Sequence, residues 1–192
     1  SLTHITVLSS YVKKVLVDNG VRMPVTVSGA GVDHFLRIQP QAYQGDLGPD
    51  GFRFLHVSSC FPRKGVDVLL EAFGRAFTGA DRVSLIIKTF PNIHNAIEIQ
   101  LADFRKRFPD AAPVILINKD ISEGELADIY KRCDALVAPS RGEGFGLPLA
   151  EAMLFEKPVI TTAYGGQMDF CSTENAWLVD YQFACAQTHM EQ

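Results

Sequence analysis

The chain reads as an α/β domain, a parallel sheet with helices on both of its faces. Three observations predict this. Short runs that are almost wholly apolar, such as 83–87 and 135–138, recur along the 192 residues, as strands buried on both faces must. Between them lie segments whose apolar residues repeat with helical spacing. Strand and helix then alternate from end to end, which is the connection parallel strands need. The length suits one domain, and residues 1–192 are expected to form a single unit.

The elements follow in order. Ile5-Thr6-Val7-Leu8 is a strand, and the segment after it places Val12, Val15 and Leu16 on one helical face before an Asn19-Gly20 stop. Val25-Thr26-Val27 is a short strand. The Gly29 and Gly31 pair behind it reads either as a close approach to a ligand or as a simple turn. After a loop at 39–51 come the strand Phe52–Val57, the stretch Ser58-Ser59-Cys60-Phe61-Pro62-Arg63-Lys64-Gly65, and a helix carrying Val66, Leu69, Leu70, Phe73 and Phe77. Arg63 and Lys64 thus precede a helix N-terminus, where the dipole disfavours cations and a bound anion would explain them.

Val83–Ile87 is the next strand, followed by a helix with Ile93, Ile97, Leu101, Phe104 and Phe108 on one stripe; its Arg105-Lys106-Arg107 run reads as a solvated face. Pro113–Ile117 is a strand, and Ser122 with Glu125 forms a capping box for the helix of Leu126, Ile129 and Tyr130. Ala135–Ala138 leads into Pro139-Ser140-Arg141-Gly142-Glu143-Gly144-Phe145-Gly146 and then an apolar helix that Pro148 opens. The strand Pro158–Thr162, the loop Ala163-Tyr164-Gly165-Gly166 and the strand Ala176–Val179 complete the pattern; the tail 181–192 has none. Loops 28–33, 58–65, 139–147 and 163–167 all follow strands. They are expected at one carboxyl edge, where open α/β sheets bind ligands.

Bulk properties narrow the function. Hydrophobic residues at 47% with 21% charged are ordinary for a soluble protein. A net charge of −4 gives no reason to expect a nucleic-acid partner. No apolar run approaches the roughly 18 residues of a membrane span, and no leader pattern opens the chain. It begins at Ser1, which suits a piece of something longer. Cys60, Cys133, Cys171 and Cys185 form no C-x-x-C pair and read as buried free thiols, which suits a cytoplasmic compartment.

Loops rich in N–H donors, with Arg63 and Lys64, suit a diphosphate. Glu143 and Glu151 suit hydroxyl groups, those of a ribose or a hexose. A diphosphate between two hydroxyl-bearing rings is a nucleotide sugar. No D-x-D occurs, so no metal or other cofactor is expected. The charge on a leaving nucleotide would fall to Arg63, Lys64 and helix N-termini. Taken singly, Glu151 could be a first-turn helix glutamate and Glu143 a solvated loop residue. His56 reads as a satisfied core histidine, and His34 and Asp169 as structural or exposed.

Glu143-Gly-Phe-Gly-Leu-Pro-Leu-Ala-Glu151 resembles the E-x7-E motif of the group 1 (family 4) retaining glycosyltransferases. Pro62-Arg63-Lys64-Gly65 before Leu-Leu-Glu-Ala-Phe, Gly31-Val32-Asp33, Pro158-Val159-Ile160 and Tyr164-Gly165-Gly166 are also similar to that family, over roughly residues 4–180. The resemblance implies one half of a GT-B fold, the C-terminal, Rossmann-like donor-binding domain, with the N-terminal acceptor domain absent. It implies metal-independent transfer of a hexosyl group with retention, from a UDP- or GDP-hexose to an unknown acceptor, in carbohydrate biosynthesis. The isolated domain is expected to be inactive, and any peripheral membrane attachment would lie in the missing domain. The alternative is a non-catalytic sugar-nucleotide-binding module. By the same resemblance Glu143, Arg63 and Lys64 are catalytic. Glu151 meets the ribose, Phe145, Gly146, Leu147 and Gly31 lie near sugar and phosphates, and Asn118 to Ile121 frames the base. Two positions depart from the family pattern: Ser59 stands where many members carry arginine, and Glu156-Lys157 where a glycine usually precedes the strand.

Overall fold

The computed structural model describes residues 3–184. Its main sheet holds six parallel strands in the order β5-β4-β3-β6-β7-β8: β3 is Phe52–Val57, β4 Val83–Thr89, β5 Val114–Asn118, β6 Ala135–Ala138, β7 Val159–Thr162 and β8 Trp177–Val179. From β3 the chain winds outward through α2 (Val66–Ala76), β4, α3 (Ile97–Arg107) and β5. It then returns by α4 (Glu123–Arg132) to β6, on the other side of β3, and winds outward again through α5 (Leu147–Leu154). The winding direction reverses between β3 and β6. That junction opens a crevice at the carboxyl edge.

Both faces of the sheet are covered because successive strand residues point to opposite sides and both sets are apolar. On one face Leu55, Ile86, Leu136 and Val159 meet Ile129 and Tyr130 of α4 and Leu149 and Ala152 of α5. On the other, Leu85 and Ile87 meet Val66, Leu69, Leu70 and Phe73 of α2 and Ile97, Leu101 and Phe104 of α3. The expected capping box is present on α4, where Ser122 and Glu125 each accept the other's backbone N–H. Cys60, Cys133 and Cys171 are buried free thiols, and burial pushes Cys133 up to about 12 and Cys171 up to about 11; Cys185 lies outside the described residues. Among the described residues no helix is long and apolar enough to cross a membrane.

Two expectations are corrected. β1 (Ile5–Val7) and β2 (Val25–Val27), flanking α1 (Ser10–Asp18), pair with each other in a separate two-stranded sheet. Loop 28–33 therefore does not extend a strand of the main sheet. The α3 stripe does not begin at Ile93, which is 95% exposed. Asn92 and Asn95 accept the backbone N–H groups of His94 and Ile97, so side-chain turns hold 92–95 and the helix starts later.

Candidate functional site

The loops after β3 and β6 meet at the switch point and are stitched by their backbones. Gly65 closes the Pro62–Lys64 turn with φ +70°, and a Cβ there would lie 2.2 Å from the Pro139 carbonyl oxygen. Only glycine accepts both the conformation and the contact. The Arg141 N–H donates to the Arg63 carbonyl at 2.8 Å, and Arg63 Nη1 donates to the Gly142 carbonyl at 3.1 Å. The Arg141 guanidinium forks onto both Asp67 carboxylate oxygens, at 2.8 and 2.7 Å, and also donates to Pro62 O at 2.8 Å. That fork holds the Asp67 carboxyl below its usual range.

This stitching joins the two halves of the predicted site. Lys64 Nζ lies 2.5 Å from Glu143 Oε1, with side-chain exposures of only 11% and 9%. Ser140 Oγ donates to the same oxygen at 2.9 Å, and Arg63 Nη1 stands 3.9 Å from Oε2. Glu143 is therefore not a solvated loop residue. The 163–167 loop closes the third side: the Gly166 N–H donates to Glu143 O at 2.8 Å, and a Cβ on Gly166 would meet Gly144 O at 2.1 Å. Gln167, fully buried, braces that loop from below by donating to Thr162 O and Tyr164 O, both at 3.0 Å.

Beneath Lys64 and Glu143 lies His56, 1% exposed. Its Nδ1 donates to Val137 O at 2.7 Å, which leaves Nε2 to accept from Ser58 Oγ, also at 2.7 Å. Ser58 Oγ in turn accepts the Cys60 N–H at 3.0 Å and steadies that residue at φ +54°. Burial, with Lys64 adding to it and Val137 and Glu143 opposing, lowers the His56 pKa to about 4. An unfolded histidine titrates near 6.5, so the native state binds fewer protons. The stabilisation is complete above pH 6.5 and is lost as pH falls toward 4, by roughly 3 kcal/mol at ~1.36 kcal/mol per unit. Chemical denaturation from pH 7 to pH 4 should show this loss, and His56→Gln should flatten it.

The remaining predicted residues spread along the same edge. Gly146, at φ +96°, caps α5, and Leu147 begins it with exposed side chain. The Gly146 carbonyl accepts the Leu149 N–H at 3.0 Å and the Ala150 N–H at 3.2 Å, and the first N–H groups of a helix have no intrahelical acceptor. The 28–33 loop arrives by packing rather than by strand extension. Ser9 caps α1 and donates to Gly144 O at 2.5 Å, while the Ser10 N–H donates to Asp169 Oδ2 at 2.7 Å. Gly31 and Phe145 thereby line an open cleft of about 610 Å³ with Ala150, Met153 and Phe170.

Glu151 sits in the middle of α5, not its first turn. It accepts from the Tyr130 hydroxyl at 2.8 Å, and burial raises its pKa. Asn118 and Ile121 lie at β5, two strands from the switch point. Asn118 Nδ2 donates to Glu98 at 3.2 Å, while its Oδ1 is buried without a partner. Asp169 is structural, as expected. Arg141, Gln167 and Ser9 were not singled out for the site; Arg141 and Gln167 each stand beside a glycine motif, which is the signal that marks them.

The chain is thus an α/β domain whose switch-point crevice brings together two cations, a buried carboxylate and a helix N-terminus. The chain belongs to the group 1 glycosyl transferases, whose family pattern matches residues 51–188. An uncharacterized glycosyltransferase of Methanocaldococcus jannaschii is 34% identical over 117 residues, 58% of this chain and 29% of that protein. The lipopolysaccharide core biosynthesis mannosyltransferase LpcC of Rhizobium leguminosarum bv. viciae is 29% identical over 160 residues, 80% of this chain and 44% of LpcC. Sucrose-phosphate synthase of Thermosynechococcus elongatus superposes with a TM-score of 0.77 at 23% identity, over 95% of this chain and 46% of that one. Anabaena HepE, crystallised with UDP-glucose, superposes at 0.76 and 19% identity, over 93% and 50%. The shared fold is the Rossmann-like α/β fold of the GT-B glycosyltransferases, and the chain spans at most half the length of these four proteins.

Proposed function

We propose that residues 1–192 form the donor-binding half of a glycosyltransferase that moves a hexosyl group from a nucleoside-diphosphate sugar with retention and without a metal. The carrying observation is the Arg63, Lys64 and Glu143 cluster at the switch point of a group 1 glycosyltransferase chain. Lys64 has three N–H donors and spends one on Glu143. Turned toward the crevice, the others and the Arg63 fork would meet the diphosphate and stabilise its charge as it leaves. Glu143 keeps lone pairs for sugar hydroxyls, Glu151 accepts from the ribose, and the α5 N-terminus adds its dipole. The acceptor would be held by a further domain facing this edge, so this chain alone is expected to bind donor and transfer little.

That HepE was crystallised with UDP-glucose supports the donor class. The two mannosyl- and sucrose-phosphate-forming relatives support a hexose. Isothermal titration calorimetry with UDP and GDP tests the reading; heat from neither at about millimolar concentration would sink it.

A further inference from the structure

Lys88, the penultimate residue of β4, lies between Val57 of β3 and Ile117 of β5. Only 8% of it is exposed, yet among the described residues no carboxylate comes within salt-bridge distance of its ammonium. Nζ makes one hydrogen bond, to the Thr89 carbonyl at 2.8 Å, and leaves two N–H donors unspent. A buried, unpaired ammonium destabilises a fold. Burial lowers its pKa, with Asp120 and Cys60 opposing. Strand residues alternate between faces, so Lys88 shares the face of Ile86, the side occupied by α4 and α5 and hence by Tyr130 and Glu151. Two more buried polar atoms at this edge lack partners: Asn118 Oδ1, on the residue paired with Thr89 and so on the opposite face from Lys88, and Ser59 Oγ, in the loop after β3.

Strand order gives these groups a place along a ligand. Asn118 ends β5 and Ile121 follows it, Lys88 is next to last in β4, Arg63 and Lys64 follow β3, Glu143 follows β6 and Gly166 follows β7. A nucleotide sugar with its diphosphate at β3 and its sugar toward β6 and β7 carries its base over β4 and β5. Resting on the donor-binding reading above, we infer that Lys88 determines which base is taken, donating its unspent N–H groups to a ring carbonyl oxygen. An ammonium only donates, so it favours a base that presents a carbonyl there, uracil or guanine, over adenine, which has none.

Calorimetry on the 192-residue chain and its Lys88→Met variant, with UDP, GDP and ADP, tests this. The wild type is expected to bind UDP or GDP at least about tenfold more tightly than ADP, as one hydrogen bond to a charged donor allows. Lys88→Met should erase most of that preference, leave ADP binding unchanged and raise the melting temperature, because it removes a buried charge. Equal weakening for all three nucleotides would place Lys88 on the diphosphate and overturn the inference, as would unchanged selectivity. A wild type that binds none of the three overturns the donor-binding reading as well.

Discussion

Lys64→Met should lower the stability of the fold by about 3 kcal/mol, because it strands the nearly buried Glu143 carboxylate without its counter-ion. The figure sits at the low end for a broken buried pair. Ser140 keeps its hydrogen bond to Glu143, and Arg63 remains 3.9 Å away. Glu143→Leu should cost a similar amount by the same argument, now leaving an ammonium alone. The double variant should cost much less than the sum, since two charges and their desolvation leave together. Urea denaturation of the four proteins would measure this coupling, and strictly additive losses would show that the pair is not a unit. The same Lys64→Met variant should bind UDP or GDP at least about tenfold more weakly, the loss of one charge-assisted hydrogen bond.

Glu151→Gln has the opposite signature. Burial holds the Glu151 carboxyl above the usual glutamate range, with Tyr130 opposing that shift. A carboxyl raised in the native state favours its protonated form there. Its stabilising contribution is complete below the unfolded pKa and disappears as pH rises through the folded one. At neutral pH the fold therefore carries a half-buried charge it would be more stable without. Glutamine keeps an acceptor for the Tyr130 hydroxyl and removes that charge. Melting temperatures should match the wild type below about pH 4 and equal or exceed it at pH 7. If Glu151 accepts from the ribose as proposed, nucleotide affinity should fall about tenfold or more, because an amide oxygen would replace the carboxylate there. A variant less stable at pH 7 would mean that the carboxylate is there for the fold.

Much of this was legible from local pattern. Strand runs, the capping box at Ser122 and the two glutamates in their glycine loop are local features, and local features are written in consecutive residues. Arg63 and Lys64 stood out because cations rarely precede a helix N-terminus without cause. Their pairing with Glu143 was not legible. The Lys64 pair joins residues 79 apart in sequence, and it exists because β6 lies beside β3, a fact of strand order that no short window contains. The same blindness placed β2 in the main sheet: Val-Thr-Val pairs as readily with β1 as with any other strand. Ile93 was misread for a different reason. Its spacing continues the α3 stripe, but asparagine side chains compete for the backbone donors that a helix would need. Lys88 drew no notice because a lysine closing an apolar run looks like the point where a strand reaches water.

The Ser9 hydroxyl takes part in two hydrogen bonds at once. It accepts the Val12 N–H that starts α1, and it donates to the carbonyl of Gly144, the residue after Glu143. α1 buries none of its residues, and its first turn is also held to the 163–169 segment by Ser10 on Asp169 and Tyr11 on Tyr164. The β1–α1–β2 unit is thereby fastened, at one end of its helix, to the backbone beside the site's carboxylate.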